Sequence, residues 1–193
     1  MEGKVSNRYS FLGGKQGLWR VVRIDSVCGP GLETVERLDV VNGELAGLPL
    51  DNVWALQGVT SNVRYATRAE VDTLQARQPA LGRPEATCAA LIPIRKSAQW
   101  WAFAQDERQS IIEEASHHTI IGLEYLPAVA RRLHHCRDMG EPFDFLTWFE
   151  YAPEHARDFE ELVSRLRATK EWDYVEREID IRLQRVHEPR TSG

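Results

Sequence analysis

Three cysteines in 193 residues, widely spaced and with no CxxC pair, give this chain no disulfide framework. No run of eighteen apolar residues occurs, so no helix spans a membrane. The start, MEGKVSNRYSFLGG, lacks the apolar stretch of a secretory signal. The expectation is a soluble, cytoplasmic protein in a reducing compartment. A Gly-rich phosphate loop, a GxSxG elbow and an HExxH pair are all missing, which sets aside the commonest nucleotide, serine-hydrolase and zinc-protease chemistries. Positive charge is also short: 24 Lys and Arg face 29 Asp and Glu, a net charge of −5. That balance argues against nucleic acid as the main partner.

What is present is enough to build a core. Apolar residues make up 42% of the chain, and six are tryptophans. Four of these, Trp100, Trp101, Trp148 and Trp172, fall in the second half. There, residues 88–94 form an apolar run suited to a buried strand, and Ser97 to about Tyr125 is broadly helical, with Asp106 and Gln109 as a capping box at an internal restart. Val129–Asp138 and Phe143–Tyr151 read as strands joined by a Met-Gly-Glu-Pro turn. Pro153 opens a helix with Ala156, Phe159, Leu162, Val163 and Leu166 at helical spacing, and Trp172–Leu183 returns to strand. The order β-α-β-β-α-β is the ferredoxin-like arrangement.

The first half reads as Gly17–Val27, Glu33–Gly43 and Asn52–Ser61 in strands, then a helix capped by Thr67 and Glu70 and reaching Gln78. Gly13-Gly14 reads as a turn. Element order alone makes this a degenerate copy of the second half. The expected fold is therefore α+β with two packed ferredoxin-like halves, residues 1–87 and residues 88–193.

His118 and Arg131 stand out as candidate chemistry. One can ligate metal, the other is a fixed cation thirteen positions later, and the segment SHHTIIGLEYLPAVARRLHHCRD around them is largely apolar. Burying either is costly without a partner. Residue types alone still favour a satisfied, partly buried imidazole and leave Arg131 evenly placed between a pocket cation and a solvated strand end. His134, His135 and Cys136 do not make a zinc site, because consecutive strand residues point to opposite faces. His155 and His187 read as solvated. Glu171, Glu176 and Glu178 flank the last strand, and any of them could accept the outer N–H of a ligating histidine.

The segments LIPIRKSAQWW, DERQSIIEEASHH, LEYLPAVARRLHHCRDMGEPFDFLTWFEYAPEH and FEELVSRLRATKEWDYVEREIDIRL closely resemble chlorite dismutases, in their short-chain, dimeric branch. The likeness runs over roughly residues 10–185. It implies haem b, one per chain, held in the C-terminal half, and conversion of chlorite to chloride and dioxygen by a homodimer. Carried over by position, His118 resembles the axial iron ligand, Glu171 its hydrogen-bond partner and Arg131 the distal arginine with Gln78 near it. Leu126 resembles a distal-wall residue, and Lys96, Tyr65 and Trp100 resemble positions at the haem edge or propionates, with Trp101 the alternative to Trp100. Coproheme decarboxylases in the same superfamily resemble a different pattern, a Tyr-Pro-Met-x-Lys stretch with Gln at the distal position. Here Ile92-Pro93-Ile94-Arg95-Lys96 lacks the tyrosine and Arg131 replaces the Gln. A haem-binding sensor with weak peroxidase activity and a non-catalytic dimerisation domain are the remaining readings.

Overall fold

The computed structural model describes residues 6–43, 51–60, 68, 72 and 76–186. Eight antiparallel strands close into one barrel: β1 (Arg8–Gly14), β2 (Trp19–Cys28), β3 (Arg37–Asn42), β4 (Trp54–Val59), β5 (Cys88–Lys96), β6 (Val129–His135), β7 (Phe145–Tyr151) and β8 (Val175–Arg185). Round the barrel they run β1-β3-β2-β8-β5-β7-β6-β4. Each set of four consecutive strands is thus laid out fourth, first, third, second. The seam between β6 and β4 is thin, a single pair of His135 with Val59. The chain is α+β, as expected.

Between β5 and β6 lie α1 (Ala98–Ala102), α2 (Gln105–Gln109) with a π-helical continuation over Ser110–Ala115, and α3 (His118–Glu124). A 3-10 turn, Pro153–His155, leads into α4 (Ala156–Arg167), and a second, Lys170–Tyr174, leads into β8.

Strand alternation sorts the side chains into two cores. Ala89 and Leu91 of β5 point inward to meet Leu146, Trp148, Ile179, Ile181, Leu183 and, from the first half, Phe11, Trp19, Leu38 and Leu56. Ala90, Ile92 and Ile94 point outward under Ile121 of α3 and Phe159, Leu162, Val163 and Leu166 of α4. Burying each large apolar side chain contributes about 1.5–3 kcal/mol, so both layers hold the helices on the sheet. The outer face of β8 is the exception, carrying buried Glu178, Asp180 and Arg182. They are held by partners: Arg167 lies 2.6 Å from Glu178 and 2.9 Å from Asp180, and Arg182 lies 2.6 Å from Glu160. Buried charge is tolerated when paired in this way.

Three sequence expectations are corrected. Gly13 and Gly14 end a strand, not a turn, because β1 pairs with both β3 and β4. A Cβ on Gly13 would stand 2.3 Å from the Trp54 ring, so the glycine makes room for a cross-strand indole. At the start of α2, the Ala104 N–H donates to Glu107 Oε2 at 2.7 Å, two residues before the expected Asp106–Gln109 box. Trp172 lies in the turn before β8, not in the strand. The cap residues Thr67 and Glu70 lie outside the described residues.

Candidate functional site

The π-helical stretch ends at Ala115, and His117 then takes a left-handed conformation, φ 52° and ψ 34°. A non-glycine residue there costs about 1–2 kcal/mol. The bend starts α3 afresh, with His118 as its first residue. The Ser116 hydroxyl accepts the Glu171 N–H at 2.9 Å, tying the turn before β8 to the same corner.

That corner brings His118 and Glu171 together, with Nδ1 2.7 Å from Oε2. The other oxygen, Oε1, accepts from Lys96 Nζ at 2.8 Å, and the same ammonium lies 3.3 Å from the Glu171 carbonyl. Lys96 and Glu171 are both buried, 4% and 6% exposed. Burial alone would push the Glu171 carboxyl up, but His118 and Lys96 outweigh it and hold the group at about 2. An ionised carboxylate can only accept, so Nδ1 of His118 donates to Glu171 and Nε2 faces away from it. Trp172 stacks beside the imidazole, with ring centroids 6.3 Å apart and planes 21° apart, and its Nε1 donates to Glu178 Oε2 at 2.8 Å. The ring is thus fixed in tautomer and in orientation.

Lys96 is thus the second partner of the Glu171 carboxylate. Its stem runs between two indoles, with Nζ 4.6 Å from the Trp100 ring and 5.3 Å from the Trp172 ring. The observed partner of its ammonium is Glu171, and its expected place at the haem edge rests on the family resemblance.

Arg131 projects from β6 and is partly buried. Its guanidinium packs against Gly122 of α3, one helical turn beyond His118. Burial lowers its pKa, opposed by the Glu113 charge. Glu113 Oε1 in turn accepts from Thr119 Oγ1 at 2.6 Å. Gln78 reaches the same strand, its Nε2 donating to the Arg131 carbonyl at 2.6 Å, so it touches backbone and not the guanidinium. Leu126 is buried in the turn between α3 and β6.

The two adjacent tryptophans separate clearly. Trp101 Nε1 donates to Asp144 Oδ2 at 3.1 Å, and its ring has Arg137 at 3.9 Å and Arg108 at 5.3 Å. Trp100 is 1% exposed, and its Nε1 has no partner among the described residues. Tyr65 lies outside the described residues.

His134 and Cys136 belong to the barrel interior. His134 Nδ1 is 3.0 Å from the Leu146 carbonyl, and burial drives its pKa down to about 4. Cys136 Sγ donates to the Phe143 carbonyl at 3.1 Å. Among the described residues no three His, Cys, Asp or Glu side chains cluster as a metal site. Sequence reasoning missed Gly122, Thr119, Ser116 and Trp172. A glycine inside an apolar helical pattern was the one available signal.

Fold and site together define an α+β barrel protein with an imidazole braced by a buried carboxylate–ammonium pair, one helical turn from the contact of a partly buried cation. Residues 33–186 match the family described as chlorite dismutase, and the chain belongs to that family. It is similar to the chlorite dismutase of Ideonella dechloratans, 29% identical over 111 residues, 54% of this chain and 36% of that protein. The matched stretch thus spans about a third of that relative's length. The crystal structure of dimeric chlorite dismutases from Nitrobacter winogradskyi superposes with a TM-score of 0.86 at 55% identity, covering 92% of this chain and 99% of that one. A variant chlorite dismutase from Candidatus Nitrospira defluvii gives a TM-score of 0.67 at 23% identity, over 95% of this chain and 93% of that one, and supports the fold alone. No helix among the described residues is long and apolar enough to cross a membrane.

Proposed function

We propose that this protein is a haem b enzyme that converts chlorite to chloride and dioxygen, ClO2⁻ → Cl⁻ + O2. The observation that carries the reading is the His118–Glu171–Lys96 chain together with the partly buried guanidinium of Arg131 packed one helical turn along α3.

The residues suit haem. His118 presents Nε2 as a neutral ligand, while Glu171, accepting from Nδ1, raises its basicity. The unpartnered Trp100 N–H is a buried donor that a cofactor carboxylate would satisfy, whereas Trp101 already has Asp144. Bound haem would supply the two-electron chemistry at iron that chlorite decomposition requires. Arg131 draws in the small anion and holds the hypochlorite-sized fragment by charge-assisted hydrogen bonds until both oxygens leave as dioxygen. Leu126 walls the pocket with apolar surface, keeping water from competing for that fragment. Gln78 braces the Arg131 backbone. Tyr65 at the haem edge rests on the family resemblance.

The matched strand orders of the two quartets support two ferredoxin-like halves, residues 1–87 and 88–193; the second carries His118, Lys96, Arg131 and Glu171, which is the reason for assigning haem to it. Likeness to a dimeric enzyme at 55% identity supports a homodimer. Coproheme decarboxylation is disfavoured by Arg131 and by the apolar Ile92 and Ile94, both buried in the layer under the helices. The test is an oxygen electrode: haem-loaded protein given chlorite should release one dioxygen per chlorite. Haem uptake without dioxygen would sink the reading, and coproheme with peroxide would be the next substrate.

A further inference from the structure

Gly122 occupies the middle of α3, where only proline is a poorer helix former. Its φ is not positive, so the backbone does not call for glycine there. Space does. A Cβ at this position would stand 2.3 Å from Arg131 Nη1, 2.8 Å from Cζ and 2.9 Å from Nη2. These are far below van der Waals separation, so a side chain at 122 and the guanidinium cannot both keep their places.

The bare turn also lies where the chemistry is. Residue 122 follows His118 by four positions, so the two share one face of α3. The guanidinium resting on Gly122 therefore lies against α3 one helical turn beyond the residue that carries the imidazole. Thr119, on the adjoining turn, holds Glu113 Oε1 at 2.6 Å, and the Glu113 charge favours the cationic form of Arg131.

We propose that Gly122 is a positioning residue: the hydrogen in place of its side chain is the seat that sets where the Arg131 guanidinium meets the anionic substrate. This rests on the reading of Arg131 as the anion-holding residue. Its consequence is specific. Substitution at 122 should disturb anion handling through Arg131 alone, without weakening the helix, since alanine is the better helix former.

The experiment is a double-mutant cycle on the haem-loaded protein with Gly122→Ala, Arg131→Ala and the combination. Fluoride binding to the ferric protein is read from the Soret band, and kcat and KM for chlorite are measured beside it. Haem content and the thermal midpoint of the apoprotein serve as readouts independent of turnover. Gly122→Ala should weaken fluoride binding about tenfold, the scale of one charge-assisted hydrogen bond. It should raise KM more than it lowers kcat, and it should add nothing in the Arg131→Ala background. Should Gly122→Ala fail to take up haem, recovery of uptake in the double variant would support the seat, because removing the guanidinium relieves the clash. Wild-type behaviour of Gly122→Ala overturns the proposal, as does an effect of equal size with Arg131 absent, or loss of haem uptake in both backgrounds. If Arg131→Ala itself leaves fluoride binding and chlorite turnover unchanged, the reading of Arg131 falls and takes the seat with it.

Discussion

Glu171 gives one carboxylate oxygen to His118 and the other to Lys96, at 2.7 and 2.8 Å, with the lysine and the carboxylate both enclosed by protein. The imidazole is thus tied to a buried ion pair, so the state of Glu171 governs both the stability of this corner and the basicity of the ring.

Acid should act on the apoprotein through Glu171. Its folded pKa is depressed to about 2, so the stability it brings is fully present above the unfolded carboxylate range and is lost as pH falls toward 2. The shift corresponds to roughly 3 kcal/mol. Glu171→Gln removes that contribution and leaves Lys96 buried without its anion. It should therefore lower stability at pH 7 by about 3 kcal/mol and flatten the acid slope between about pH 4.5 and 2. Urea titrations of both proteins across this range decide the matter, and parallel slopes would refute the assignment.

Arg131→Ala should retain haem, because His118 and Trp100 are untouched. It should lower kcat/KM for chlorite by roughly 10- to 100-fold, the worth of a hydrogen bond to a charged group. Hypochlorite should escape into solution, trapped by a chlorination probe, and the cofactor should bleach after fewer turnovers. Arg131→Lys keeps the charge but loses the planar fork, and its values should fall between the two. Equal rate and equal lifetime in Arg131→Ala would remove the residue from the mechanism.

Much of this was legible in the residue pattern, for identifiable reasons. Strands β5 to β8 announce themselves through apolar runs and alternation, and α4 through Phe159, Leu162, Val163 and Leu166 on one stripe. Strand β1 was not legible, because its Gly13-Gly14 end looks like a turn until Trp54 is found lying over it. The direction of Lys96 was hidden too. Nothing local says that a lysine closing an apolar strand will turn inward between two indoles to reach residue 171. Among three nearby glutamates, residue types alone could not choose; the family resemblance pointed to Glu171, and the left-handed His117 and the Ser116 hydroxyl show how the fold brings it to His118.

The Gly13–Trp54 contact predicts a stability defect far from the site. Gly13→Ala places a methyl group inside the indole's volume, and overpacking of this kind costs typically 1–3 kcal/mol. Chemical denaturation should show that loss, while haem affinity and chlorite turnover of the folded fraction stay at wild-type values. A stability gain would mean that Trp54 swings away freely and that β1 does not depend on the contact.

Trp100 and Trp101 are neighbours in sequence with opposite hydrogen-bond states, which sets up a paired test. Trp100 Nε1 is buried without a partner, so the apoprotein already bears the cost of an unmade bond, about 1–3 kcal/mol. Trp100→Phe removes that cost while giving up some packing and part of the contact with Lys96, so apoprotein stability should change little. If the indole N–H serves a cofactor carboxylate, the same change should weaken haem binding roughly 10- to 100-fold. Trp101→Phe does the reverse. It takes one of three partners from buried Asp144, which keeps the Lys96 N–H and Arg137, and so should destabilise the apoprotein by about 1 kcal/mol with little change in haem affinity. Haem titration and thermal melts of the two variants give four numbers. If haem affinity falls with Trp101→Phe and holds with Trp100→Phe, the cofactor's polar edge lies on the Trp101 side and the unpartnered indole has another purpose.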